Sequence, residues 1–135
     1  MKWIFILAIG MASAAMAQDI PWRYDFEDGS GSYRADAGSE VSLSARRYKG
    51  GQHSLKWSWQ NNGRLLFTDP APGRNKALTG FRAWVYNEVA LDEVLTFRFG
   101  TESELAANNP RYQFEFGLNF TGWRAMWIHL RDDAR

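Results

Sequence analysis

The sequence predicts an all-β protein, an antiparallel jelly-roll β-sandwich. Three observations carry that reading. Short segments alternate between apolar and polar residues, turn signals recur about every 8–15 residues, and only one brief stretch has a helical pattern. The 135 residues suffice for one domain, and neither an internal repeat nor a low-complexity linker marks a second.

The clearest strand is 50–59, GGQHSLKWSW. A glycine pair makes a turn, after which Leu55, Trp57 and Trp59 share one face and Ser54, Lys56 and Ser58 the other. That regular alternation places the two tryptophans on the core side. Residues 19–27 read as a first strand, with Trp22, Tyr24 and Phe26 opposed to Arg23, Asp25 and Glu27. The cluster 28–32 is a turn, 33–40 a small, polar loop, and 39–46 a weakly alternating edge strand. Arg46, Arg47, Tyr48 and Lys49 form a basic cluster running into the glycine turn. Asn61-Asn62-Gly63 is a hairpin signal, because Asn and Gly accept positive φ, so 64–68 reads as the strand returning along 53–60.

The loop 69–76 carries Pro70, Pro72 and Gly73. The next strand, 80–87, is apolar on both faces, with Phe81, Ala83 and Val85 on one and Trp84 and Tyr86 on the other. Such a strand is either covered on both sides or carries an exposed aromatic face. Strands follow at 94–100 and 111–118, separated by the short helical stretch 101–109, and a last strand at 123–130 is partly apolar on both faces. The count is about eight strands.

The first segment reads as a leader outside the fold. A short positive start, an apolar run at 3–11 and the small-x-small triplet Ala15-Met16-Ala17 are those of a cleavable signal peptide, residues 1–17. The run is shorter than the roughly 20 apolar residues a helical membrane span needs. The expected product is a secreted or periplasmic chain, 18–135, with no membrane anchor. Removing Lys2 from the 16 basic residues leaves 15 against 15 acidic ones, a formal charge of zero. Bulk attraction to nucleic acid is thereby excluded, although a local basic patch is not. The absence of cysteine means that a core of 7 Trp, 5 Tyr and 9 Phe must hold the domain without disulfides.

Catalytic chemistry is not legible. The two histidines, His53 and His129, lack an acid or metal partner at motif spacing, and there is no nucleophile elbow, phosphate loop or zinc spacing. No catalytic residue is assigned. Glu27, followed by Asp28, Gly29 and Ser30, offers hard oxygens for a structural Ca²⁺, but ordinary turn chemistry explains the same residues without a metal. No other cofactor is implied. Carbohydrate binding is the sharper idea. Aromatic rings on an outer sheet face stack on sugars, and cations beside them pair with sulfates or uronate carboxylates. The candidates are Lys56, Arg82, Trp84, Tyr86, Arg98, Arg111 and Gln113, each turned away from the most apolar side of its strand. Read blandly, the rings are core and the arginines ordinary surface residues.

Four stretches taken together resemble a known family: PWRYDFEDG (21–29), GQHSLKWSW (51–59), FRAWVYNE (81–88) and LNFTGWRAMWIHL (118–130). In order and rough spacing they are similar to the N-terminal domain of chondroitin sulfate ABC lyases. The resemblance implies a galactose-binding-like jelly roll that helps hold chondroitin or dermatan sulfate. The catalytic groups of β-elimination then belong to C-terminal domains that this chain does not contain, so none is carried over to His53 or His129. Similar domains continue with further strands past the FTGWR segment, so the resemblance further implies a C-terminally incomplete fragment. The alternative is a stand-alone exported carbohydrate-binding or surface-interaction module.

Overall fold

Strands form where alternation coincides with aromatic and branched residues, and their pairing follows from which edges are already occupied. A computed structural model describes the backbone of residues 2–13, 23–24, 26–27, 33–60, 62–68 and 78–130, and the side chains of 26–27, 33–60, 62–68 and 80–130. The elements in order are β1 (Lys2–Ser13), β2 (Arg23–Tyr24), β3 (Tyr33–Asp36), β4 (Ser39–Ser44), β5 (Ser54–Trp59), β6 (Arg64–Phe67), β7 (Leu78–Asn87), β8 (Val94–Phe99), α1 (Glu102–Ala106), β9 (Tyr112–Gly117) and β10 (Gly122–His129). One large sheet runs β10-β7-β1-β5-β4, with β2 also on β1, and two small sheets, β3-β6 and β8-β9, accompany it. All the pairs are antiparallel. The fold is an all-β sandwich, as the alternation predicts.

The core lies on one face of the large sheet. Leu55, Trp57 and Trp59 from β5 are buried there, as are Phe81, Ala83 and Val85 from β7 and Met126 from β10. The β8-β9 hairpin covers β7. Phe81 meets the rings of Phe97, Phe99 and Phe114 at centroid distances of 5.5, 5.1 and 5.8 Å. Phe26 joins Tyr33 of β3 and Phe67 of β6 in a second aromatic group, at 5.8 and 6.4 Å. Trp57 and Trp59 stack on one another at 4.6 Å. Both tryptophans of β5 are therefore core residues, as their period of two requires.

Several sequence expectations are revised. The 61–63 turn does not close a hairpin: β6 pairs with β3, while β5 pairs with β1 on one side and β4 on the other. A strand has two edges, and both edges of β5 are taken, so the chain crosses to the other layer. The segment 33–40 is not all loop, because Tyr33–Asp36 supplies the partner that β6 needs. Ala37 and Gly38, both at positive φ (51° and 75°), then turn the chain into β4, which is the edge strand expected. Ser39 locks this corner, its Oγ lying 2.6 Å from the Asp36 carbonyl and 2.9 Å from that of Arg64. Of the expected first strand, the described residues show only Arg23–Tyr24 paired to β1, and then Phe26 at φ 60°. The 69–76 loop lies outside the described residues. The apolar N-terminal run, assigned by sequence to a leader outside the fold, lies in the large sheet in the unprocessed chain as β1.

One short helix forms where the helical pattern stands. Thr101 and Glu104 make a reciprocal capping box around α1, with Glu104 N–H donating to Thr101 Oγ1 at 3.2 Å and Thr101 N–H to Glu104 Oε2 at 2.7 Å. Farther on, the buried Asn87 ends β7 by donating from Nδ2 to the carbonyls of Leu118 (2.8 Å) and Phe120 (3.0 Å). These bonds set the entry to β10, where Gly122 sits at φ 89°, a conformation that disfavours a side chain. The Asn of W-x-Y-N and the Gly of FTGWR thus belong to one corner.

Two substitutions check this account. Trp57→Ala is expected to cost about 3–5 kcal/mol in urea unfolding, because a large buried side chain leaves a cavity. Asn87→Leu is expected to cost about 1–3 kcal/mol, because two carbonyls lose their buried donor. Asn87→Leu at wild-type stability would show that the corner does not depend on this amide.

Candidate functional site: a cationic and aromatic outer face

Alternation that buries Phe81, Ala83 and Val85 turns Arg82, Trp84 and Tyr86 to the other side of the sheet. In β10, Trp123, Ala125 and Trp127 stand in register with Tyr86, Trp84 and Arg82, so they share that side. Tyr86 and Trp123 meet edge to face at 5.2 Å. Arg82 lies over the ring of Trp127 at 6.0 Å, and Trp127 is 73% exposed. The loop before β5 brings two more cations. Lys49 Nζ lies 4.4 Å from the Trp84 ring centroid, and Arg47 Cζ lies 5.2 Å from that of Tyr86. Arg47 Nη2 also pairs with Glu88 at 3.6 Å, while its buried Nε has no acceptor among the described residues. Lys56 stands on the same face. Through β1 it shares a cross-sheet row with Tyr86, two strand spacings or about 10 Å away.

Each cation over a ring contributes about 0.5–1 kcal/mol at such exposure and holds its charge against an apolar surface. The result is a strip in which the half-buried rings of Trp84, Tyr86 and Trp123 and the exposed ring of Trp127 alternate with guanidinium and ammonium groups. Its rings offer flat surfaces to a sugar, and its cations offer donors to sulfate or carboxylate oxygens.

Four of the candidates named from sequence, Lys56, Arg82, Trp84 and Tyr86, share this face. The other three do not. Arg98, Arg111 and Gln113 lie on the β8-β9 hairpin, on the far side of the core. There Arg98 donates to Gln113 Oε1 (3.0 Å) and Asn108 Oδ1 (2.8 Å), and Arg111 pairs with Glu104 (3.1 Å). Alternation shows that a residue leaves the core, but not on which side of the sandwich it emerges. Arg47, Lys49, Trp123 and Trp127 were not among the sequence candidates. The first two belong to the 46–49 basic cluster, and the tryptophans to a strand apolar on both faces, but only tertiary packing places either beside β7.

Glu27 anchors a turn. Its carboxylate accepts from the backbone N–H of Gln52 at 2.9 and 3.1 Å and of His53 at 3.2 Å, and lies 3.4 Å from His53 Nδ1. Those bonds, the one from Gln52 foremost, hold the Glu27 carboxyl below its ordinary value of 4.5. Gly51 at φ 68° completes the turn, since a Cβ there would fall 2.0 Å from Glu27 Oε1. Both Glu27 carboxylate oxygens are engaged in this turn, whereas Asp28, Gly29 and Ser30 lie outside the described residues, which contain no cluster of three acids, histidines or cysteines suited to a metal. His129 faces the exposed side of β10. A hollow lined by Gly38, Ser39, Glu40, Ser58, Trp59 and Gln60 at the β4-β5 edge carries an acid and no cation, which suits a polyanion poorly.

Fold and face together define an antiparallel β-sandwich module with a cation-and-aromatic outer surface. The chain belongs to the family described as "Lyase, N terminal", whose pattern it matches over residues 23–135. It is 37% identical over 105 residues to a chondroitin sulfate ABC exolyase of Bacteroides thetaiotaomicron, covering 72% of this chain and 10% of that protein. It is 32% identical over 112 residues to a chondroitin sulfate ABC endolyase of Proteus vulgaris, covering 75% of this chain and 11% of that protein. The aligned part of the chain thus spans about a tenth of the length of these curated relatives.

A depressed carboxyl stabilises the fold above its unfolded value, and that contribution is lost as pH falls through the folded value. Glu27→Gln is therefore expected to lower the thermal midpoint near pH 7 and to leave it close to the parent's near pH 3. A pH-independent difference would mean that the charge of Glu27 plays no part. Gly51→Ala is expected to cost about 1–2 kcal/mol from its left-handed backbone alone.

Proposed function

We propose that this chain is the noncatalytic, glycosaminoglycan-holding N-terminal domain of an exported chondroitin-sulfate-type polysaccharide lyase. The observation that carries the reading is the outer face of β7 and β10. A chondroitin or dermatan sulfate chain repeats a ring, an anionic sulfate and a uronate carboxylate, and the face repeats a ring and a cation. Trp84, Tyr86, Trp123 and Trp127 are the stacking surfaces. Lys49, Arg82 and Lys56 are the anion partners, and Arg47 is shared with Glu88. The relatives' names support the substrate class, and the leader-like residues 1–17 support export. In this reading the β-eliminating groups lie elsewhere in the longer polypeptide, and this domain raises the residence time of the polymer near them. A stand-alone binding module would use the same face. The intact mass of the native secreted product separates the two, since a product ending at Arg135 would favour the stand-alone module.

The face is tested on immobilised chondroitin sulfate. Retention of the folded chain is expected to fall with salt. Because a charged hydrogen bond contributes about 1.5–3 kcal/mol, Lys49→Ala and Arg82→Ala are each expected to weaken binding about tenfold or more. Arg98→Ala, on the opposite surface, is expected to leave it unchanged. Loss of retention with Arg98→Ala alone would move the site to the hairpin, and absence of retention at low salt would refute binding.

A further inference from the structure

The loop 46–52 carries two cations to the strip and holds them differently. Arg47 is fixed. Its main-chain carbonyl accepts from Ser54 Oγ, and its guanidinium pairs with Glu88 at 3.6 Å while lying 5.2 Å from the Tyr86 ring centroid. The far end of the loop is fixed as well, where Glu27 accepts from the backbone N–H groups of Gln52 and His53. Lys49 lies between these two clamps. Among the described residues its ammonium has neither a hydrogen bond nor a carboxylate, only the Trp84 ring, whose centroid is 4.4 Å from Nζ. Lys49 is exposed, and the next residue, Gly50, borders open space, since a Cβ there would meet nothing within 4 Å. A flexible four-carbon stem with three rotatable donors can therefore leave the ring for a nearby anion while both clamps stay in place.

That ammonium stands where a sugar would have to go. Trp84 is one of the rings offered for stacking, and Lys49 covers it. A sugar that takes the covered face must first displace the cation, which over an exposed ring costs about two- to fivefold in affinity. A sulfate or uronate on the same polymer offsets this, because the ammonium gains a charge-assisted partner as it leaves. A neutral sugar offers no such partner. We propose that Lys49 is a specificity-determining residue: in the free domain its ammonium covers the Trp84 ring, and it yields the ring to a sugar whose chain carries an anion to receive it. The occluding contact thus discriminates against neutral polysaccharides, while the same side chain attracts sulfated ones. This inference rests on the reading of the strip as a glycosaminoglycan-binding face.

Two ligands test it: chondroitin sulfate, and the same polymer desulfated and carboxyl-reduced so that it is neutral. Each is titrated into the folded chain at low salt and followed by calorimetry. Lys49→Ala is expected to weaken binding of the sulfated polymer about tenfold. The same substitution is expected to strengthen binding of the neutral polymer about two- to fivefold. Loss of a general attraction would not give that reversal of sign. Neutral-polymer binding that is unchanged or weakened by Lys49→Ala overturns the proposal. Proton NMR reads the exchange directly. The Lys49 ε-methylene resonance is expected to be shifted upfield by the indole in the free chain, and to lose that shift both in Trp84→Leu and on saturation with chondroitin sulfate. A shift that persists in the saturated complex overturns the proposal and leaves the binding reading intact. Absence of chondroitin sulfate binding at low salt refutes the binding reading, and the proposal with it.

Discussion

The outer face depends on the burial beneath it. Phe81, Ala83 and Val85 fill the core side of β7, packed under the phenylalanines of the β8-β9 hairpin. With that side anchored, a period of two leaves Arg82, Trp84 and Tyr86 no direction but outward. A slip of one residue in the register of β7 would exchange the two sets, placing a guanidinium in the core and three apolar residues on the surface. The cost of that exchange makes the position of the face as definite as the position of the core. Asn87 extends the same constraint beyond the strand, tying the end of β7 to the carbonyls that lead into β10. The tryptophans of β10 therefore stand beside the rings of β7 by virtue of one buried amide and one antiparallel register.

Charge is distributed to similar effect. The acidic and basic residues nearly cancel over the chain, yet they are sorted by place. On the hairpin, Arg98 and Arg111 are consumed by Gln113, Asn108 and Glu104, in bonds that fasten α1 to the strands around it. On the β7-β10 face, Lys49 and Arg82 lie over rings. A cation held by a π surface keeps most of its hydrogen-bonding capacity, whereas one in a carboxylate pair has spent it. Glu27 shows the complementary case, a carboxylate committed to backbone donors so that the turn before β5 holds its shape and carries Lys49 toward Trp84. The domain needs little net charge to present a cationic strip, because Glu27 and Glu104 are committed away from it and Glu88 engages Arg47 rather than Lys49 or Arg82.

Part of this was legible in the chain and part was not. GGQHSLKWSW identifies a core strand on alternation alone, and burial of Leu55, Trp57 and Trp59 agrees with it. The short helical stretch at 101–109 and the edge position of β4 were equally local. The failures share one cause. Asn61-Asn62-Gly63 has the chemistry of a tight turn, and Asn62 does take a positive φ, but turn chemistry cannot show that both edges of β5 are already occupied. A polar stretch such as 33–40 gives no sign that β6 will need a partner. Arg98 and Arg82 look alike in sequence, each a cation alternating with apolar neighbours, and they emerge on opposite surfaces of the sandwich.

The sequence by itself determined the strand periods, the aromatic core, the glycine turn before β5 and the family. These properties depend on neighbours within a few residues, where sterics and alternation act directly. The tertiary structure alone decided which strands share an edge, which outward cations converge on the same rings, and that an apolar run read as a leader fits between β5 and β7. Pairing and convergence depend on residues tens of positions apart, and those distances are set by how the two layers close over a common core.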